Sequence, residues 1–430
     1  MNRLAKEYRV FLEQPRAVRI LLVTNAVYAL VLPVIEIFMA AYVMRNSHDV
    51  SKVVTLQLAV YAGDPLAFFI NGILLGRVAV KKLYAAGMLL SAVALLIMMS
   101  SNVITPSAIA ISGILMGTAS GLFWANRGYL ALSTTNDLNR NYFYGFETFF
   151  STISAVVVPA AIGWFIAASA RHAWAGGDRN HSYRVVAVCS LVLTIFSSFI
   201  ISLGTYENPP KTRFLYLRFD RLWNKMLGLA SLKGLAQGYL VTAPAMLILL
   251  LVGQEGTLGL IQAIGGIASS FMVYAVGRIA KPEHRVHVFA VGLLLFAAGS
   301  LVNAALFSAT GVLIFMACLI LGRPAMDVAY FPIQLLLTDT VAAMENRNHY
   351  TYIFSHELGL FAGRLVGCGL FILLAIYVSH TFALKYALPV IAIVQLASIW
   401  VAKDLLSSVS KVALQPALAV ADMSEMLHEQ

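Results

Sequence analysis

Charge is what this chain has least of. Only 12% of its 430 residues are Asp, Glu, Lys or Arg, against about 25% in an ordinary soluble domain. With 60% hydrophobic residues and a mean hydropathy of +0.81, the chain cannot hide its apolar surface from water by folding on itself. Its solvent must be lipid. Cysteine is also scarce. Cys189, Cys318 and Cys368 all fall inside apolar runs, which argues against a disulfide framework, and no C-x-x-C spacing offers a metal site. No G-x-x-x-x-G-K-[ST] loop is present, which argues against direct drive by ATP. No nucleophile–base spacing stands out, so an enzyme is not expected, and no cofactor or metal is implied. Ser355-His356-Glu357-Leu358-Gly359 lacks the second His that a zincin helix needs four residues on. The net charge of +10 is spread along short loops rather than gathered on one face, so nucleic acid is not an expected partner.

What the chain does have is long apolar runs. A spanning helix needs about 20 apolar residues. Spans are expected near 19–44, 53–76, 82–101, 106–133, 142–170 and 184–205, then 227–252, 256–277, 286–307, 311–338, 349–378 and 382–402. This gives an all-α membrane protein of twelve transmembrane helices in two pseudo-symmetric six-helix bundles. The expected units are residues 1–205, a linker at 206–226 with Pro209-Pro210 and several basic residues, residues 227–402, and a tail of mixed charge at 403–430. Met1–Arg19 reads as an amphipathic segment on the membrane surface rather than a signal peptide. A lone sequon, Asn180-His181-Ser182, is close to chance.

The two halves echo one another. Gly76-Arg77-Val78-Ala79 returns as Gly277-Arg278-Ile279-Ala280, and Asn139-Arg140-Asn141 as Asn346-Arg347-Asn348. Such offsets indicate internal duplication. In a membrane protein, duplication points to alternating access around a site between the repeats. Basic residues favour the side holding both termini, the linker and these echoed loops by roughly threefold, so that side is expected to be cytoplasmic.

On these features the chain resembles the major facilitator superfamily over essentially its whole length. The family's signature between spans 2 and 3 runs G-x-L-a-D-R-x-G-R-K. Gly72, Leu74, Arg77 and Lys81 stand in register. Gly76, Ala79 and Val80 depart from it, and the missing Asp puts the usual gate interlock in doubt. An Arg early in span 4, frequent in proton-coupled members, is absent, since Arg127 lies near the other end. Val158-Pro159-Ala160-Ala161-Ile162-Gly163 keeps only part of the antiporter motif of span 5. The resemblance implies a secondary active transporter of a small organic solute, monomeric by default, with spans 3, 6, 9 and 12 facing lipid. The expected location is the bacterial inner membrane.

Ionisable residues inside a bilayer are costly and usually face a cavity or a partner. Here they are Glu36, Asp64, Arg127, Glu147, Arg323, Asp327, Glu357 and Arg364, with His356 beside Glu357. Protons are the expected coupling ion. Glu36 and Asp64 are the first candidates to carry them, because no cation lies at their depth in the same half; Asp327 and Glu357 come next. Arg323 and Arg364, each about 23 Å into their spans, suit an anionic or zwitterionic solute. Arg323–Asp327 and Glu357–Arg364 each share a helix face, so spans 10 and 11 are expected to present a four-membered cluster. The competing reading is that these four neutralise one another and only hold helices in register. Spans 7 and 8 are expected to add nothing, Lys233 lying near an end. Tyr28, Tyr61, Trp124, Tyr330 and His356 complete the expected solute-binding set, and His356 is equally readable as a packing residue. Arg77, Arg127, Glu147 and Arg278 form the expected gating set, with Arg127 and Glu147 as a pair. Kinks are expected at Pro33, Pro65, Pro159, Pro244, Pro324 and Pro332. A drug exporter, a carrier of metals or metal chelates through His356, and a non-transporting sensor remain alternatives.

Overall fold

A computed structural model describes residues 9–101, 103–135, 140–171, 179–208, 213–253, 255–279 and 284–409. Among these residues every regular element is a helix, as lipid demands of a chain whose backbone groups must be satisfied within each span. Eleven helices are long and apolar enough to cross a membrane, and the helix Glu255–Ile279 completes twelve. The first half runs Arg16–Ser47, Val50–Leu74, Val80–Ser100, Pro106–Thr134, Arg140–Arg171 and Arg179–Ser202. The second runs Arg221–Leu251, Glu255–Ile279, Arg285–Leu306, Ala309–Glu345, His349–Tyr377 and His380–Val409. We number them spans 1 to 12.

Short polar side chains start several of these helices. Asp49, Thr105, Asp220, Ser308, Asn348 and Ser379 each accept a hydrogen bond from a backbone N–H in the first turn. Spans 1 and 7 are broken at matching places. Span 1 stops at Ala29, turns through Pro33 and resumes as a π-helix, Val34–Phe38, that carries Glu36. Span 7 stops at Leu240 and resumes at Ala243 with Pro244 in its first turn. A proline there loses nothing, because first-turn N–H groups have no helical partner. Pro65, Pro159, Pro324 and Pro332 instead lie inside continuous helices.

Without a hydrophobic force between helices in lipid, association relies on close packing through small residues. Spans 2 and 4 meet at Gly63, Gly113, Gly117 and Gly121, and spans 7 and 11 at Gly234, Gly238, Gly363 and Gly367. A Cβ at Gly363 would lie 1.8 Å from the carbonyl oxygen of Ser231, and backbone cannot step aside. Gly363→Ala is therefore expected to lower stability by about 3 kcal/mol. Gly369→Ala, which meets nothing within 4 Å, should lose none. Thermal unfolding in detergent compares the two.

The halves touch along several seams, one of them between spans 2 and 7. Spans 2 and 11 pack together. Spans 5 and 8 meet where Gly259 faces Pro159 and Gly163. The second segments of spans 1 and 7, Met39–Ser47 and Ala243–Leu251, also meet. The last two seams lie toward the end of the bundle at which span 1 finishes.

Candidate functional site

Mid-depth charge gathers in two clusters, one on each side of Tyr330 and His356. In the first, Arg364 of span 11 lies 2.5 Å from Glu357 of its own helix and 3.5 Å from Asp64 of span 2. Its Nε and Nη2 donate to Gln237 Oε1 at 3.2 and 3.1 Å. Its guanidinium lies over the Tyr61 ring, 4.5 Å from the centroid. Tyr61 in turn donates to the carbonyl of Gln237 at 2.8 Å. Asp64 is thus not the lone carboxyl the sequence led us to expect. Its own half holds no cation beside it, but the other half supplies one. Its second oxygen, Oδ1, is buried and accepts no hydrogen bond among the described residues.

In the second cluster, Lys233 of span 7 binds Asp327 of span 10 at 2.8 Å. Its ammonium also lies 3.9 and 4.1 Å from the Tyr330 and Phe331 ring centroids. The expectation that spans 7 and 8 add nothing is corrected here. Span 7 begins at Arg221, which places Lys233 about 18 Å along its helix. The expected four-membered cluster of spans 10 and 11 is corrected too. Lys233 claims Asp327, and Asp64 claims part of Arg364, so partners from spans 7 and 2 join both pairs. Arg323 is left 4.0 Å from Asp327 with 58% of its side chain exposed.

That exposure decides which cation is available. The Arg364 and Lys233 side chains are only 10% and 11% exposed, and both are engaged with acids. Glu36 is likewise exposed, although helices surround it, and it lies within electrostatic reach of Arg323. Both side chains are therefore accessible and close enough to interact. Trp124 is 44% exposed.

Other expected residues have settled partners. Tyr330 is buried, and its Oη shares a 2.7 Å hydrogen bond with His356 Nε2. His356 is buried beside it, which matches a packing role. Among the described residues no group of three His, Cys, Asp or Glu is placed to hold a metal. Tyr28 is buried, shares a 2.9 Å hydrogen bond with Ser91 and packs on Phe123. It does not join Glu36 in lining the cleft, because its hydroxyl points toward span 3.

Arg127 and Glu147 do pair, Nε donating to Oε1 at 2.7 Å. Asn25 adds a 2.8 Å hydrogen bond to the same carboxylate and accepts one from Tyr84 at 2.6 Å. Arg127 also lies over the Trp124 ring at 5.1 Å. Arg77 is exposed in the loop between spans 2 and 3. That loop is held by other groups. Asn208 accepts from the N–H of Val80 and donates to the carbonyls of Leu75 and Val78. Lys81 donates to the carbonyls of Ser202 and Gly204. The side chain of Arg278 lies outside the described residues.

Sequence reasoning missed the amides Asn25, Gln237 and Gln395, and the aromatic latch at the terminal end of the cleft. Phe214 of the linker packs over Gly72 and against Phe69, Tyr350 and Phe354. Tyr350 of span 11 donates to the carbonyl of Phe68 in span 2 at 2.9 Å.

A twelve-span bundle of two halves, interrupted at matching helices and charged at mid-depth, defines a secondary transporter of small solutes. The sequence pattern of the Major Facilitator Superfamily matches residues 20–367, and the chain belongs to that family. It is 21% identical over 383 residues to the uncharacterized protein YqgE of Bacillus subtilis (strain 168), covering 87% of this chain and 86% of the relative. It is 25% identical over 180 residues to an uncharacterized protein in the sodM 3′ region of Geobacillus stearothermophilus, covering 41% of this chain and 80% of the relative. Its fold is similar to the nucleoside transporter NupG, with a TM-score of 0.66 at 13% identity over 91% of this chain and 99% of that one. It is also similar to a POT family transporter in complex with 5-aminolevulinic acid, with a TM-score of 0.65 at 11% identity over 91% and 97% of the two chains.

Proposed function

We propose that this chain is a proton-coupled transporter of a small anionic or zwitterionic solute, working by alternating access in a bacterial inner membrane with both termini cytoplasmic. The observation that carries this reading is the exposure of Arg323 and Glu36 in one cleft while Lys233 and Arg364 are tied up by acids. Arg323 offers its planar donor fork to a carboxylate or phosphate. Glu36 stands across from it to receive an amino group.

Asp64 is the proposed proton carrier. Ionised, it holds Arg364 across the halves. Protonated, it leaves Arg364 to Glu357 on the same helix, and the contact between halves loosens. Its unpartnered Oδ1 is the place for the proton. Gln237 links this switch to the solute, because it belongs to the wall near Arg323 and holds Arg364 through its Oε1.

The test is thermal stability of the purified protein against a panel of organic acids, amino acids, nucleosides and cationic amphiphiles. A solute that binds the folded state raises the melting temperature by mass action. An anionic or zwitterionic solute should stabilise the wild type. Arg323→Gln should weaken its binding at least about tenfold, as loss of a charge-assisted hydrogen bond does. Stabilisation by cationic or neutral amphiphiles alone would make the arginines structural and favour a drug exporter.

A further inference from the structure

A small pocket opens within the second half, enclosed by spans 7, 9, 10 and 12. Lys233, Gln237, Arg323, Asp327, Tyr330 and Gln395 supply its polar lining, and Phe289 and Met326 its apolar wall. Its volume is about 40 Å³. One water needs about 10–15 Å³ on this scale, so the pocket takes a group of a few heavy atoms and not a whole drug-sized molecule. Lys233 and Arg323 bring two positive charges and Asp327 one negative, which leaves one net positive charge.

Gln395 is the informative member. It comes from span 12, an outer helix by its place in the bundle, yet it points inward and is only 4% exposed. Its Oε1 is buried and accepts no hydrogen bond among the described residues. A buried acceptor left unmade is expensive. An aliphatic side chain would pack there at no such penalty, so the amide suits an occupant of the pocket that donates to it. Within the pocket Lys233 is held by Asp327, Arg323 lies 4.0 Å from the same carboxylate and the Tyr330 hydroxyl is paired with His356, so none of them donates to Gln395 Oε1.

We propose that this pocket is a head-group subsite for a carboxylate whose α-carbon carries a hydrogen-bond donor, that is, an α-hydroxy or α-amino acid. The carboxylate takes the net positive charge through Arg323, and the α-hydroxyl or α-amino group donates to Gln395 Oε1. The remainder of the solute extends into the cleft toward Glu36. This assignment rests on the anion reading above and adds to it a chemical class and a residue on span 12.

The experiment is titration of the purified full-length protein with propionate, lactate and alanine, followed by melting temperature and calorimetry. Lactate and alanine should bind the wild type about tenfold more tightly than propionate, the worth of one good hydrogen bond to a buried acceptor. Gln395→Leu should bring the lactate-to-propionate ratio close to one while propionate affinity holds, and propionate binding shows that this variant is folded. Gln395→Glu, nearly isosteric, should weaken all three acids by placing a negative charge beside the carboxylate. Equal binding of lactate and propionate by the wild type, with both lost in Arg323→Gln, would overturn the subsite and leave the anion reading intact. A lactate preference that survives in Gln395→Leu would also overturn it. Binding of none of the three acids would overturn the subsite, and the wider panel would then decide the anion reading separately.

Discussion

Arg364→Leu is expected to be among the most damaging single substitutions in the chain, with a loss of about 3–5 kcal/mol of stability. The reason is what it leaves behind. Arg364 is buried, with Glu357 at 2.5 Å and Asp64 at 3.5 Å. Removing the guanidinium strands two carboxylates in a dry interface, and it empties the seat at Gln237 and over the Tyr61 ring. The loss comes from the uncompensated acids more than from the missing attraction. It follows that Asp64→Asn and Glu357→Gln, introduced together with Arg364→Leu, should recover most of the stability. Melting temperature and monodispersity in detergent measure both. If the triple variant is as unstable as Arg364→Leu alone, the site is held by packing and the ion-pair account fails.

Asp64→Asn should have the opposite profile: a folded protein with its coupling lost. Arg364 keeps Glu357, so no cation is orphaned and the fold should persist. The amide cannot take up a proton, so accumulation of solute driven by a pH gradient should fall by at least about tenfold, the range in which positioned proton-transfer groups act. Exchange of solute for solute, which requires no net proton movement, should continue. Glu357→Gln separates the two carboxyls. It leaves Asp64 able to titrate and should reduce driven accumulation less.

Much of the fold is legible in the sequence because lipid imposes one rule on every span. An apolar run of sufficient length must be a helix, and the expected spans fall on observed ones. The ends are less legible. Span 7 begins at Arg221 rather than 227, because Asp220 caps it before its apolar stretch begins, and spans 10 and 12 likewise run past their apolar cores. This shift sets Lys233 deeper than its apolar run alone implies. Local pairs were readable from helical phase, as with Arg323–Asp327 and Glu357–Arg364, and Arg127–Glu147 was readable from equal depth in consecutive spans. Contacts between halves were not. Nothing in the sequence near Asp64 names Arg364, and nothing near Pro244 shows that its segment meets span 1. The amides were passed over because an uncharged polar residue in an apolar run leaves a weak signal. Gln237 and Gln395 nonetheless occupy the places where the charged groups connect.

The account turns on protons moving with the solute. Its most direct test is the lumenal pH of proteoliposomes loaded with a pH-sensitive dye, read when a solute identified by thermal stabilisation is added outside. The account predicts that an inward solute gradient acidifies the lumen through the wild type and leaves it unchanged through Asp64→Asn, although radiolabelled solute still exchanges through that variant. Solute entry through the wild type with no change of lumenal pH, or an equal change through Asp64→Asn, would contradict it.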